Sequence, residues 1–270
     1  MKKQILKSQK IYPNAKLNIY LEIISQREDN YHLLETIMIP ISLYDEIDIT
    51  IYDKGDITVD TLNVEIPQME NIIYKVLIKA KKEFNLKFGA KILVNKKIPA
   101  GAGLGGGSSD GAFVLKFLNE VLNFATTQEL INFSAKIGAD IPFFLINKPA
   151  FCEGIGDIIT PIDIKESFFY LYTPNYHVNT AKIFQNRAKF IAENNLFGKS
   201  IKKYKKDIWA YLQNNDLLYF NRLSKSVEAI EPELFDIKNK FDKNLSLTGT
   251  GACFYTDIES NNLIKVKVLL

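Results

Sequence analysis

The densest concentration of chemistry in the chain lies in its backbone. The stretch Gly101-Ala102-Gly103-Leu104-Gly105-Gly106-Gly107-Ser108-Ser109-Asp110-Gly111 holds six of the 14 glycines. Glycine permits positive φ and lets backbone N–H groups approach a bulky anion with no side chain between them. A helix starting at the end of such a loop adds unpaired N–H donors and the positive end of its dipole. Ser108 and Ser109 stand at that helix start, as further donors to the anion or as caps. Pro99 to Gly111 therefore reads as a phosphate cradle, against the alternative of a flexible turn before a well-capped helix. Gly101, Gly103 and Gly106 satisfy G-x-G-x-x-G, a weak pattern by itself. It follows several strands here, whereas a dinucleotide fold would place it in the first βα turn. No Lys follows the glycines in the manner of a Walker loop.

Two charged side chains stand in apolar surroundings. Lys16 opens an apolar strand in Pro13-Asn14-Ala15-Lys16-Leu17-Asn18, either as a buried cation facing a phosphate or as a surface lysine at a strand edge. Asp140 is the one acid of Ile137-Gly138-Ala139-Asp140-Ile141-Pro142-Phe143-Phe144. It either serves a site or caps and ends the preceding helix, since an acid among apolar residues is expensive unless paired. Tyr31-His32 follows the turn dipeptide Asp29-Asn30, placed to stack on and hydrogen-bond a base or to pack in a hairpin. Thr248-Gly249-Thr250-Gly251-Ala252 is a second glycine turn. The run Lys199, Lys202, Lys203, Lys205 and Lys206 reads as a solvated face.

Elements must hold these groups in place. Leu17, Ile19, Leu21 and Ile23 alternate with Asn18, Tyr20 and Glu22, the pattern of a half-buried strand. Ile47, Ile49 and Ile51 repeat it, and Ile92 and Val94 mark another strand. Ile72, Ile73, Val76, Leu77, Ala80 and Phe84 share one helical face. Val114, Leu115, Leu118, Val121 and Leu122 predict a helix from Ser108 to about Phe124. Thr126 and Glu129 form a capping box for the next, which runs to about Ile137 with Gly138 as its stop. Further on, Phe168 to Thr173 reads as a strand, Thr180 to Asn194 and Asp216 to Ile230 as helices. Leu245–Thr248, Ala252–Thr256 and Ile264 to Val268 return to strand. The mixture without strict βαβ alternation predicts an α+β protein of two lobes, divided near residues 150–165.

Composition narrows the partners. Lys+Arg number 34 against 31 Asp+Glu, and Arg occurs only at Arg27, Arg187 and Arg222. A protein that reads nucleic-acid sequence would carry more Arg for bidentate base contacts, so none is expected as a partner. Cys152 and Cys253, with two His, supply neither a disulfide framework nor a zinc site. No signal-like or membrane-spanning apolar run is present, so no membrane is expected and the cytoplasm is the expected compartment.

Taken in order, Ala15-Lys16-Leu17-Asn18, Asp29-Asn30-Tyr31-His32-Leu33-Leu34, Pro99 to Asp110, Gly138-Ala139-Asp140-Ile141-Pro142 and Leu247-Thr248-Gly249-Thr250-Gly251-Ala252-Cys253 resemble the signatures of the GHMP kinases. The triple glycine before two serines is similar to the branch whose acceptor is a methylerythritol carrying a cytidine diphosphate, on the non-mevalonate route to isoprenoid precursors. Asn30 stands in place of the usual Gly, and Gly111 in place of Ala.

The resemblance implies a two-lobed fold with its active site in the cleft between lobes, residues 1–155 forming the ATP-binding lobe and 156–270 an α+β lobe. It implies Asp140 as catalytic base with Lys16 beside it. The phosphates of ATP would lie on Pro99, Ala100, Gly101, Ala102, Gly103, Leu104, Gly105, Gly106, Gly107, Ser108 and Ser109, with Asn71 near the adenine. Tyr31, His32 and Phe184 would hold the cytosine. Asn18 and Thr180, with Asp140, would contact the acceptor. Mg2+ is expected as the counter-ion of ATP, with no protein ligand assigned. The alternative is another GHMP-type kinase, of mevalonate or homoserine.

Overall fold

The computed structural model describes residues 3–29, 32–179, 182–187, 197–242 and 244–270. The chain divides into two compact units, each assembled from separated segments. One comprises Met1–Ala15, Leu43–Ile98 and Gly105–Asn147; the other comprises Lys16–Ser42, Pro99–Leu104 and Lys148–Leu270. The sequence predicts a single boundary near 150–165. The units are instead interleaved, because residues 16–42 pack with segments from the far end of the chain.

The first unit is a four-stranded sheet covered by helices. β1 (Ile5–Ile11), β4 (Glu46–Tyr52), β6 (Gly89–Asn95) and β5 (Ile57–Leu62) lie in the order β1-β4-β6-β5. β5 and β6 run parallel, joined by α1 (Ile72–Glu83), and the other pairs are antiparallel. Ile47, Ile49 and Ile51 are buried while Asp48 is exposed, as their alternation predicts. α2 (Gly106–Leu122) packs against α1, and Val114, Leu115 and Leu118 are fully buried. α3 (Thr127–Ala135) opens on the predicted capping box: Thr126 Oγ1 accepts from Glu129 N at 3.3 Å, and Glu129 Oε2 from Thr126 N at 2.7 Å. α4 (Ile141–Ile146) follows the short turn that carries Asp140.

The second unit has two sheets. β2 (Asn14–Gln26), β3 (His32–Tyr44), β7 (Ala150–Gly154) and β8 (Ile158–Pro161) form one, in the order β2-β3-β7-β8. The other is β10 (Ser246–Leu247), β11 (Phe254–Thr256), β9 (Phe168–Tyr172) and β12 (Ile264–Lys267), in the order β10-β11-β9-β12 and antiparallel throughout. Among its helices are α5 (Ile208–Asn214), α6 (Ser224–Ile230) and α7 (Pro232–Phe241). Leu21 and Ile23 of β2 meet Val178, Ile183, Leu223, Val227, Leu234 and Phe254 in one core.

Two expectations from the sequence change here. β2 is buried on both faces from Asn14 to Ile23, where alternation predicts one wet face. Its polar positions are covered because each has partners: Glu22 takes the Arg222 guanidinium, and Tyr20 lies against Phe220. The helix predicted over 216–230 exists only from Ser224. Residues 219–222 instead lie along β2, where Tyr219 N, Leu21 N and Arg222 N bond Ile19 O, Phe220 O and Leu21 O at 2.8, 2.9 and 2.8 Å. The helix predicted over 180–194 falls largely outside the described residues; 182–187 are helical.

Candidate active site

In the second unit the first half of the glycine loop is bonded to the protein through its carbonyls. Leu104 O accepts from Lys16 N at 3.0 Å, Ala102 O from Cys253 N at 3.1 Å and Gly101 O from Ala252 N at 3.3 Å. The loop is thus tied to β2 and to the second glycine turn, which spacing alone would read as an ordinary hairpin. Only glycine fits the contact. Gly103 has φ of +76°, and a Cβ on it would stand 2.7 Å from Thr248 O; a Cβ on Gly251 would stand 1.9 Å from Gly103 N. The ring of His177 covers Gly101 in the same way, Nδ1 lying 2.2 Å from where a Cβ would sit. No pattern in the sequence singles out His177.

Lys16 is a buried cation and not a strand-edge lysine, with 4% of its surface exposed. Its Nζ donates to Asn18 Oδ1, whose Nδ2 donates to Thr36 Oγ1 at 2.9 Å, which in turn donates to Tyr20 O at 2.6 Å. Asn18 N donates to Thr248 Oγ1 at 2.8 Å. The ammonium is therefore held by a polar chain that satisfies both ends of the Asn18 amide, as a charge inside a protein requires. Cys253 lies nearby, its thiol pushed well above the usual range by burial, so it is inert and structural.

His32 is 7% exposed, and its Nε2 accepts or donates no hydrogen bond among the described residues. Its ring lies 5.7 Å from that of Phe184. Burial first, and then the Arg187 guanidinium, hold the imidazole below its ordinary value. It is therefore neutral at pH 7. Tyr31 and Thr180 lie outside the described residues.

In the first unit Gly105, at φ +73°, is the N-cap of α2 and no side chain caps the helix. The serine-cap alternative is thus not used: Ser109 Oγ is buried without a hydrogen-bond partner among the described residues. The N–H groups of the first turn, Gly106 to Ser108, have no intrahelical acceptor. Asn71 is the N-cap of α1, its Oδ1 accepting from Ile73 N at 2.9 Å. Asp140 stands at the N-cap of α4, but its carboxylate makes no capping bond to that helix. The preceding helix α3 ends at Ala135 with Lys136 as its C-cap, so the alternative of Asp140 as the cap of that helix is not taken up either.

Among the described residues no group of three His, Cys, Asp or Glu stands close enough to hold a metal ion. No helix among them is long and apolar enough to cross a membrane.

Residues 71–148 match the model of the GHMP kinases N terminal domain. A 4-diphosphocytidyl-2-C-methyl-D-erythritol kinase of Azobacteroides pseudotrichonymphae is 33% identical over 90% of this chain and 91% of its own length. One from Clostridium perfringens is 40% identical over 64% of this chain, a match that spans 61% of that relative. A solved structure of 4-(cytidine 5'-diphospho)-2C-methyl-D-erythritol kinase shares the fold, with a TM-score of 0.76 at 23% identity over 96% of this chain and 99% of that one. The glycine loop, its helix and Asp140 all fall within the matched domain or beside it, and the long match extends the likeness to most of the chain: it belongs to the 4-diphosphocytidyl-2-C-methyl-D-erythritol kinase family of the GHMP kinases.

Proposed function

We propose that the chain transfers the γ-phosphoryl group of ATP to a hydroxyl of the methylerythritol unit of 4-diphosphocytidyl-2-C-methyl-D-erythritol, in the non-mevalonate route to isoprenoid precursors. Asp140 accepts the hydroxyl proton as the oxygen attacks the γ-phosphorus and ADP leaves. Lys16 balances the negative charge of the transferring group, and Asn18 acts by holding the Lys16 ammonium. The backbone N–H groups of the glycine loop and of the first turn of α2 receive the phosphates, so catalysis rests mainly on positioning and electrostatics. Asn71 stands by the adenine. Magnesium would accompany ATP as its counter-ion and would help neutralise the charge of its phosphates, with no protein ligand assigned among the described residues.

The acceptor is carried by one observation, the buried His32 ring against Phe184, its Nε2 without a hydrogen-bond partner among the described residues. A ring nitrogen and an aromatic face suit a cytosine base, which mevalonate and homoserine lack. Tyr31 supplies the other face and Thr180 touches the acceptor, as the resemblance implies. The test is ADP release from ATP with a panel of acceptors. Turnover with the cytidyl compound alone is expected; turnover with mevalonate or homoserine, and none with the cytidyl compound, would refute the reading.

A further inference from the structure

Beneath the first turn of α2 lies a charged cluster that the reaction above does not use. Lys96, just past the end of β6, donates from Nζ to Asp45 Oδ2 and, at 2.8 Å, to Asp110 Oδ2. Asp45 is fully buried and Asp110 is 3% exposed. The two carboxylates are not equivalent. Asp45 Oδ1 also accepts from Lys97 N at 2.5 Å and Ile98 N at 2.9 Å. Among the described residues Lys96 is the one donor to Asp110, whose Oδ1 accepts no hydrogen bond, and the Asp45 carboxyl lies within hydrogen-bonding reach of it.

With all three groups ionised the cluster carries a net negative charge in a buried place, which is costly. One further proton removes that cost, and it goes to the carboxyl with fewer donors, Asp110. Burial pushes Asp110 up to about 7, the Lys96 charge pulling against it and Asp45 adding to it. Burial also works against the Lys96 charge, but Asp110 and Asp45 outweigh it, so Lys96 stays protonated. Lys96 and Asp45 are the charged groups facing Asp110; α1 presents Ile72 and Val76 to the same turn of α2, at Gly111. The cluster reaches the phosphate cradle directly: Lys96 Nζ lies 3.2 Å from where a Cβ on Gly106 would sit.

We propose that Asp110 is a positioning residue for the nucleotide: protonated, it leaves the cluster under Gly106 neutral, and ionised, it places an uncompensated negative charge beneath the turn that receives the phosphates. Nucleotide binding then favours the protonated form and draws a proton onto Asp110 by linkage. This rests on the reading of the glycine loop as the ATP site.

The test is calorimetric titration of the protein with ADP near pH 7 in buffers of different ionisation enthalpy, for wild type and Asp110→Asn. Titration of the ADP phosphates is common to both proteins and cancels in the difference. Wild type is expected to take up more protons than the variant, by up to about one per nucleotide. Equal uptake with binding intact overturns the proposal and leaves the nucleotide site standing. Failure of both proteins to bind ADP refutes the site and the proposal together. Carbon-13 NMR of the wild-type aspartate carboxyls needs no variant: one is expected to titrate near neutrality, its midpoint rising with ADP, and carboxyls that all titrate in the usual acidic range overturn the proposal.

Discussion

Asp140 and Lys16 illustrate how a single residue can be read from its neighbours. A charge inside an apolar run must be paired or solvated, and Lys16 is indeed held by a buried polar chain. If Asp140 is the base, Asp140→Asn lowers kcat by about 10²–10⁴-fold, the usual range for a positioned proton acceptor. ATP affinity should stay nearly unchanged; wild-type turnover by the variant would remove the assignment. His32 makes a pH prediction. Its folded value lies below the ordinary one through burial and Arg187, so the unfolded chain binds the proton first as pH falls. The stability this gives is present above the ordinary histidine value and is lost as pH drops below it. Protonation also makes both ring nitrogens donors and removes the one acceptor of the neutral ring. The KM for the acceptor should therefore rise as pH falls below the ordinary histidine range, without a matching change in the KM for ATP. His32→Gln should flatten the profile, and an identical profile in that variant would separate His32 from the base. Asp45 and Lys96 escaped this kind of reading, because their contact joins residues 51 apart in sequence.

At the scale of elements, what was legible was local. The capping box at Thr126 and Glu129 joins positions three apart, and the structure forms both of its bonds. α1 and α2 follow apolar faces that repeat every three or four residues, and the loop before α2 is marked by glycine itself. What was not legible depends on partners distant in sequence. The alternation in β2 implies one wet face, and nothing near Tyr20 or Glu22 announces that Phe220 and Arg222 will cover the other. The stretch 219–222 has helical spacing, yet its backbone groups are taken by β2. Asp216 and Tyr219 adopt positive φ, at +53° and +71°, which a continuous helix would not allow. Local propensity lost there to hydrogen bonds with a strand about 200 residues earlier. The same distance hides the approach of Gly251 to Gly103, which turns an apparent hairpin into a support for the glycine loop.

Interleaving has its consequence at the scale of the whole chain. Residues 1–155, the ATP-binding lobe that resemblance suggests as a continuous piece, contain β2 but lack most of the core β2 belongs to. Leu21 and Ile23 pack against Val178, Ile183, Leu223, Val227, Leu234, Phe235, Leu245, Leu247 and Phe254, every one of them beyond residue 155. The hydrogen bonds from 219–222 to the edge of β2, and the ion pair of Glu22 with Arg222, would be lost too. Exposing a buried Leu or Ile side chain costs about 1.5–3 kcal/mol. Two such residues, about 3–6 kcal/mol together, already reach the lower end of the whole stability of a small domain, about 5–15 kcal/mol. A fragment of residues 1–155 is therefore expected to lack a cooperative thermal transition and to show poor amide dispersion by NMR, while the full chain unfolds cooperatively. Addition of a separate 156–270 fragment should restore cooperativity, since it returns the missing partners of β2. A cooperative melt of 1–155 alone would mean that β2 finds other cover, and that its packing with the far end of the chain is not what holds residues 16–42 in place.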